Sequence, residues 1–355
     1  MADNIRMDSH KLLYHPIEVA KWLQGEGHLY PIEVEIGLSG ACNHRCIFCA
    51  VDYMGYQPNF LDTKIVLDTL KDLAGKGLKS VIYSGEGEPL LHKDAPLIIA
   101  KTKEEFGIDA ALATNGVLLT REKAEICLHA LTWIRFSIAA ATEETYQKIQ
   151  RGKPGDLGRV LKNLEDAVAI KREKQLHTTL GAQLLLLPEN RDEVVMLAKT
   201  LREIGLDYLT VKPFSQHPSS IVKRAVDYSE SDTLAEELKR IATDTFQIHF
   251  RRQSMENVAH EKTYDRCHAL PFMTHIDAKG EVFPCIAFVG DENLRYGNLY
   301  EKSFVEIWES PRTAKIMNIF CGDFLRNKCR KACRLDEMNK YLHELKHPGA
   351  HVNFI

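Results

Sequence analysis

Cys42-Asn43-His44-Arg45-Cys46-Ile47-Phe48-Cys49 decides how the rest of the chain is read. Three cysteines fall at C-x3-C-x2-C spacing, directly after an apolar run (Ile32, Val34, Ile36, Leu38) that alternates like a strand. A tight loop of this kind brings three thiolates to three corners of one small iron–sulfur cube. A mononuclear zinc site more often draws its ligands as two close pairs, and the next cysteine after this loop is Cys127. Three protein ligands leave one iron of a cubane open, and that vacancy is the chemical point of the spacing.

Outward from this loop the chain alternates between two patterns. Strand-like runs appear at 79–83, 108–113, 133–138, 179–187 and 208–211. Helical patterns at 62–74, 96–105, 121–129, 157–173 and 190–204 separate them. The last has a start signal, Asn190 with Glu193 three residues on. With the first strand this makes six βα units, which predicts a parallel sheet, either curled into a barrel or open. The chemistry is then expected at the C-terminal ends of the strands. There the chain carries Ser84-Gly85-Glu86-Gly87-Glu88-Pro89 after the second strand, Thr114-Asn115-Gly116 after the third, and Ser137 at the end of the fourth. The sixth strand runs into a proline-bracketed loop with Lys212 and His217, for which structural and substrate-facing roles are both open, as they are for Gln183.

From about residue 260 the alternation stops and Cys267, Cys285, Cys321, Cys329 and Cys333 follow. Residues 274–285 read as a hairpin turning at Ala278-Lys279-Gly280, and Ser303 with Glu306 opens a helix as a capping box. Cys127, alone among apolar neighbours, reads as core.

The cluster loop resembles that of the radical S-adenosylmethionine (radical SAM) enzymes, whose pattern is C-x3-C-x-aromatic-C; Phe48 supplies the aromatic residue. The resemblance implies a partial (β/α)6 TIM-like barrel, with Cys42, Cys46 and Cys49 holding a [4Fe–4S] cluster whose open iron binds SAM. Gly85, Glu86, Gly87 and Glu88 resemble the family's G-G-E-P turn, with Glu86 in a glycine position and Glu88 implied to accept from the SAM ammonium. Asn115 and Ser137 match further SAM-contacting positions, although Ile138-Ala139-Ala140-Ala141 replaces the Asp-Gly of many relatives.

The C-terminal block resembles the SPASM and shorter twitch domains, hairpin-and-helix units that carry auxiliary iron–sulfur clusters. Five cysteines imply one auxiliary cluster, expected to be [4Fe–4S], on Cys267, Cys285, Cys329 and Cys333, with Cys321 a substitute ligand or a spare thiol. A zinc site on the same cysteines is the structural alternative. The expected organisation is a lead-in at 1–30 with a helix near 17–23, a core barrel at 31–250 and an auxiliary domain at 251–355.

The resemblance implies an oxidoreductase that cleaves SAM reductively, abstracts a substrate hydrogen atom and passes an electron to the auxiliary cluster. With no leader-binding module expected before the barrel, a sugar, nucleotide sugar or cyclitol is preferred over a peptide. A peptide or protein maturase is the competing enzyme reading, and a non-catalytic metal-binding protein is the third. The electron donor implied is flavodoxin- or ferredoxin-like.

Composition sets the limits. The 355 residues are 45% hydrophobic and 27% charged, as in ordinary soluble proteins. A net charge of −3 gives no electrostatic reason to expect nucleic acid. Residues 1–15 lack a signal-peptide core, and no apolar run reaches membrane-spanning length. Nine cysteines, odd in number and clustered, fit metal ligation in a reducing, cytoplasmic compartment better than cross-linking.

Overall fold

The computed structural model describes residues 9–25 and 28–354. Most of the 1–30 lead-in lies within them, including a helix at Pro16–Gln24; its first eight residues, Glu26 and Gly27 lie outside the described residues. The protein is an α/β molecule built on one ten-stranded sheet. Six strands fall where alternation predicts them: β1 (Glu33–Ile36), β2 (Ser80–Tyr83), β3 (Asp109–Thr114), β4 (Leu131–Ser137), β5 (Thr179–Leu186) and β6 (Tyr208–Pro213). A seventh, β7 (Gln247–Phe250), pairs parallel to β6. The C-terminal hairpin supplies β8 (Met273–Ile276) and β9 (Glu281–Phe283), and β10 (Gly297–Asn298) follows.

The spatial order is β10-β9-β8-β1-β2-β3-β4-β5-β6-β7, parallel from β8 to β7 and antiparallel from β8 to β10. The sheet does not close, so this is an open, partial barrel. The C-terminal hairpin continues the barrel's own sheet: β8 lies against the free edge of β1, with Glu35 opposite His275.

Period-two alternation divides the strands' two faces. Val34, Ile36, Val81, Tyr83, Leu112, Ile134 and Phe136 are buried toward the helix layer. There the helix Thr63–Gly75 presents Val66, Leu70 and Leu73, each fully buried, and each contributes about 1.5–3 kcal/mol. The intervening residues, among them Glu35, Ile82, Arg135, Gln183 and Lys212, line the inside of the curl.

Two local expectations change. Asn190 and Glu193 do not cap the helix that follows them. The Asn190 side chain instead closes its own turn on Leu187 N–H and donates to Ala139 and Leu185 carbonyls. Glu193 reaches across to accept from Ala141 and Thr142 N–H and from the Thr142 and Thr145 hydroxyls. It thereby satisfies the start of a short helix, Glu143–Gln150, that periodicity does not reveal. The Ser303–Glu306 capping box is present as expected. Among the described residues no helix is long and apolar enough to cross a membrane.

Candidate active site

The loop carrying Cys42, Cys46 and Cys49 is held by the backbone of the helix Glu143–Gln150. Arg45 N–H donates to Gln150 O (3.2 Å) and Ile47 N–H to Ile149 O (2.9 Å). Gln150, fully buried, accepts from Ala139 N–H and donates to Ser137 O, which fixes the loop against the end of β4. His44 turns away from the cysteines into a buried slot, 3.4 Å from Asp156 and edge-on to Tyr146. Arg45 donates to the Cys42 and His44 carbonyls and lies 4.1 Å over the Tyr56 ring.

Burial pushes the Cys42 thiol up to about 12, helped by the charge of Glu88. It pushes Cys46 well above the ordinary thiol range, reinforced by Cys42 and Cys49. Three neighbouring thiols that oppose one another's ionisation fit a soft cationic centre, which reverses that penalty. The donor set therefore suits an iron–sulfur cube.

The loops after β2 and β3 are stitched to this one. Glu88 N–H donates to Ala41 O, and Asn115 donates from its amide to Asn43 Oδ1. A Cβ on Gly87 would run into the Ser39 and Ala41 carbonyls, so only glycine allows this approach. The buried Glu88 carboxylate accepts from Leu90 N–H, the Thr114 hydroxyl and Asn115 N–H. Three of its roughly four lone-pair sites are thus taken by the protein. Ser137 has no side-chain partner among the described residues and sits opposite Gln183. Phe48 packs beside Ile47, Ala139, Ile149 and Phe214.

The structure gathers Cys267, Cys285, Cys329 and Cys333 into a second group. Burial raises all four thiols; after burial, Cys285 is raised further by Cys333, Cys267 and Cys329. Asn339 donates toward Cys267 Sγ (3.5 Å), and Asp336 accepts from Cys333 N–H (2.8 Å) while pairing with Lys262 (2.9 Å). Cys321 stands apart, its thiol directed to Asn318 O, on the strand-like bridge to Arg266. Cys127 is buried in the main core.

A chamber of about 400 Å³ lies inside the curl of the sheet, walled on one side by Cys285, Cys329 and Cys333. A row of charges runs back from its Glu35 and Arg334 wall, exposed at Arg334 and buried at Glu35, His275 and Glu86. Arg334 pairs with Glu33 and Glu35, and His275 lies 3.8 Å from Glu35 and 3.5 Å from Glu86. Burial alone would lower His275, but the flanking carboxylates raise it to about 9. Against the same burial, Arg334 and His275 hold Glu35 down to about 2. Glu86, in its glycine position, thus faces β8, accepting from Ala278 N–H (2.7 Å).

Sequence reasoning missed this row because its members lie on β1, the loop after β2, β8 and the far C-terminal segment. Lys212 and Gln183 line the chamber. His217 does not: its Nε2 meets Ala287 O and its Nδ1 accepts from Ser219 N–H, so both ring nitrogens are used structurally.

The family model described as "Radical SAM superfamily" matches residues 36–201, and that for the SPASM iron–sulfur cluster-binding domain matches residues 267–335. A GTP 3',8-cyclase of Chlorobaculum tepidum is 30% identical over 187 residues, covering 52% of this chain and 54% of that protein. The chain thus spans about half the length of that relative. An AdoMet-dependent heme synthase of Methanosarcina barkeri is 26% identical over 291 residues, covering 77% of this chain and 80% of that one. Among solved structures, Streptococcus suis SuiB bound to its precursor peptide SuiA superposes with a TM-score of 0.66 at 19% identity, covering 98% of this chain and 82% of that one. That likeness is one of fold. With both models matching in the order of the two cysteine groups, this chain belongs to the radical SAM superfamily and carries a SPASM iron–sulfur domain at its C-terminal end.

Proposed function

We propose that this radical SAM enzyme is an oxidoreductase that removes hydrogen from a small polar metabolite held in the chamber inside the sheet, beside the C-terminal cysteines. A sugar, nucleotide sugar or cyclitol suits the reading. The observation that carries it is the chamber itself, bounded by inward residues of β1, β2, β4, β5 and β6 and by three C-terminal cysteines. Its volume of about 400 Å³ is that of a small-ligand site. The named activities of the two relatives, on GTP and in heme synthesis, are with small molecules too.

Cys42, Cys46 and Cys49 would hold the [4Fe–4S] cluster that works with SAM, and Cys267, Cys285, Cys329 and Cys333 the auxiliary cluster. Bound there, SAM and its cluster supply a 5′-deoxyadenosyl radical that takes a hydrogen atom from a C–H bond, and the auxiliary cluster supplies an acceptor for the electron left behind. The chain's own residues orient and enclose. Glu88 and Asn115 fix the loops around the SAM side, Glu88 with its remaining lone pair available to an amine, and Ser137 offers a free hydroxyl. The substrate loses one hydrogen atom, one electron and one proton, a net loss of two hydrogens. A flavodoxin- or ferredoxin-type donor and a cytoplasmic setting belong to the same reading.

Anaerobic turnover with substrate deuterated at the reacting carbon tests it. The expected result is deuterium in 5′-deoxyadenosine and a product lighter by two hydrogens. The peptide-maturase reading is favoured by the SuiB–SuiA likeness in fold. Label transfer from a peptide, with none from any small polar metabolite, would replace the present reading with that one.

A further inference from the structure

The walls of the chamber are far more basic than the molecule as a whole. Arg135 on β4, Lys212 on β6, Arg251 just after β7, and Arg330 and Arg334 beside the C-terminal cysteines all line it, with Glu35 the one acidic residue among the lining. Glu35 is already engaged by Arg334 and His275. Arg135, Lys212 and Arg330 have no carboxylate and no hydrogen-bond partner among the described residues, and the Nε atoms of Arg135 and Arg330 are buried without one. Arg135 has only the ring of Trp133, 5.1 Å away. The three side chains are half-buried, and enclosing even part of a cation without a partner is costly. Their presence together on one cavity asks for a counter-charge.

The cysteine groups do not answer for all of it. Arg330 lies in the field of Cys333 and Cys285 and can balance a cluster held there. Arg135 and Lys212 are different: burial and the surrounding Arg135, Arg330, Arg251 and Arg334 lower Lys212 well below its ordinary range, and Arg135 feels Glu35, a carboxylate already engaged by Arg334, without pairing with it. They stand on the strands either side of β5, where Arg135 pairs with Gly181 and Lys212 with Leu185, four residues or about 13 Å further along, so a molecule with more than one anionic oxygen would span them.

We infer that the substrate is an oxyanion-bearing molecule, a phosphate ester or a polycarboxylate, held in the chamber through its anionic group by Arg135 and Lys212. The inference rests on the reading of the chamber as the substrate site, and within that reading it excludes uncharged sugars and cyclitols. Arg135 offers a planar fork for two oxygens and Lys212 a point charge, a combination suited to phosphate or carboxylate. Gln183, between them on β5, is left for neutral hydroxyls of the same molecule.

The test is calorimetric binding to the reconstituted, oxidised enzyme under anaerobic conditions with SAM already saturating. The probes are pyrophosphate, tricarballylate and, as neutral control, myo-inositol. Saturable binding of pyrophosphate or tricarballylate is expected, whichever is tighter naming the source of the anion, with none of myo-inositol. Each lost cation should weaken binding about 10-fold or more, so the R135Q/K212M variant is expected to lose it, while the charge-preserving R135K/K212R variant retains most of it. Iron content matched to wild type is the requirement for comparing the variants. Equal binding by wild type and R135Q/K212M, equal loss in both variants, or binding of myo-inositol alone would overturn the assignment. On the same wild-type preparation, 5′-deoxyadenosine formed with dithionite and SAM separates the two readings. Its absence with anion binding intact strikes the radical chemistry, and its presence without anion binding strikes only this inference.

Discussion

At the scale of single residues, His275 is where the two halves of the chain meet electrostatically. Its ring is fully buried between Glu35 and Glu86, and its folded-state pKa stands at about 9 against an ordinary 6.5. A histidine raised in this way stabilises the fold fully below pH 6.5 and ceases to do so as pH rises through about 9. Thermal melts of the enzyme should therefore lose roughly 1–3 kcal/mol across that window. A His275→Gln variant should lack this slope, and an unchanged slope would remove His275 from the charge row. Asp277, pushed up to about 7 by burial first and Glu86 second, adds a fall between pH 3.8 and 7 that the variant deepens, because the charge of His275 opposes that rise. Glu35 acts at the acid end, its contribution lost as pH drops toward about 2. None of this was legible in the sequence, because Glu35, Glu86, His275 and Arg334 carry no spacing that connects them. What could be read at Glu86 was only that an acid stands where relatives have glycine.

At the scale of elements, the short helix Glu143–Gln150 connects a distant carboxylate to the cluster loop. Glu193 holds its first turn through two backbone and two hydroxyl donors, and its last two residues receive the backbone of Arg45 and Ile47. Glu193→Ala removes a multiply bonded carboxylate and should cost about 2–3 kcal/mol. The more telling expectation is faster iron loss from the Cys42 loop during anaerobic chelator challenge, with retention on the C-terminal cysteines unchanged. Equal retention at both groups would mean that the helix end does not steady the loop. Asn190 and Glu193 show why local signals fail here: their spacing is that of a capping box, but both side chains find partners about fifty residues upstream in the loop after β4. The strands β1 to β6 and their long helices were readable because each is amphipathic on its own period. The four residues of β7 are partly exposed throughout and carry no such alternation of burial.

At the scale of the molecule, one sheet continues from the barrel into the C-terminal hairpin. β8 covers the edge of β1, and Arg334 and His275 neutralise the buried Glu35 from the C-terminal side. A fragment ending at residue 250 would bare a central strand edge and leave Glu35 buried without either partner. It is expected to be insoluble or to lack near-UV circular dichroism; a soluble, cooperatively melting fragment would contradict the continuity of the sheet. The cysteine groups themselves were legible, since metal ligation imposes short spacings that survive in a linear reading. The basic chamber was not. Its cations come from separate strands and the last segment of the chain, and a net charge of −3 conceals an interior of opposite sign.

The most direct test of the central claim, that two separate cysteine sites each hold a cluster and the first drives SAM cleavage, is an iron count with a 5′-deoxyadenosine assay on one preparation. Anaerobically reconstituted wild type should hold about 8 irons and the C42A/C46A/C49A variant about 4. Only wild type should form 5′-deoxyadenosine from SAM and dithionite. About 4 irons in wild type and none in the variant would contradict the second cluster, and a fully loaded wild type that leaves SAM intact would contradict the claim itself.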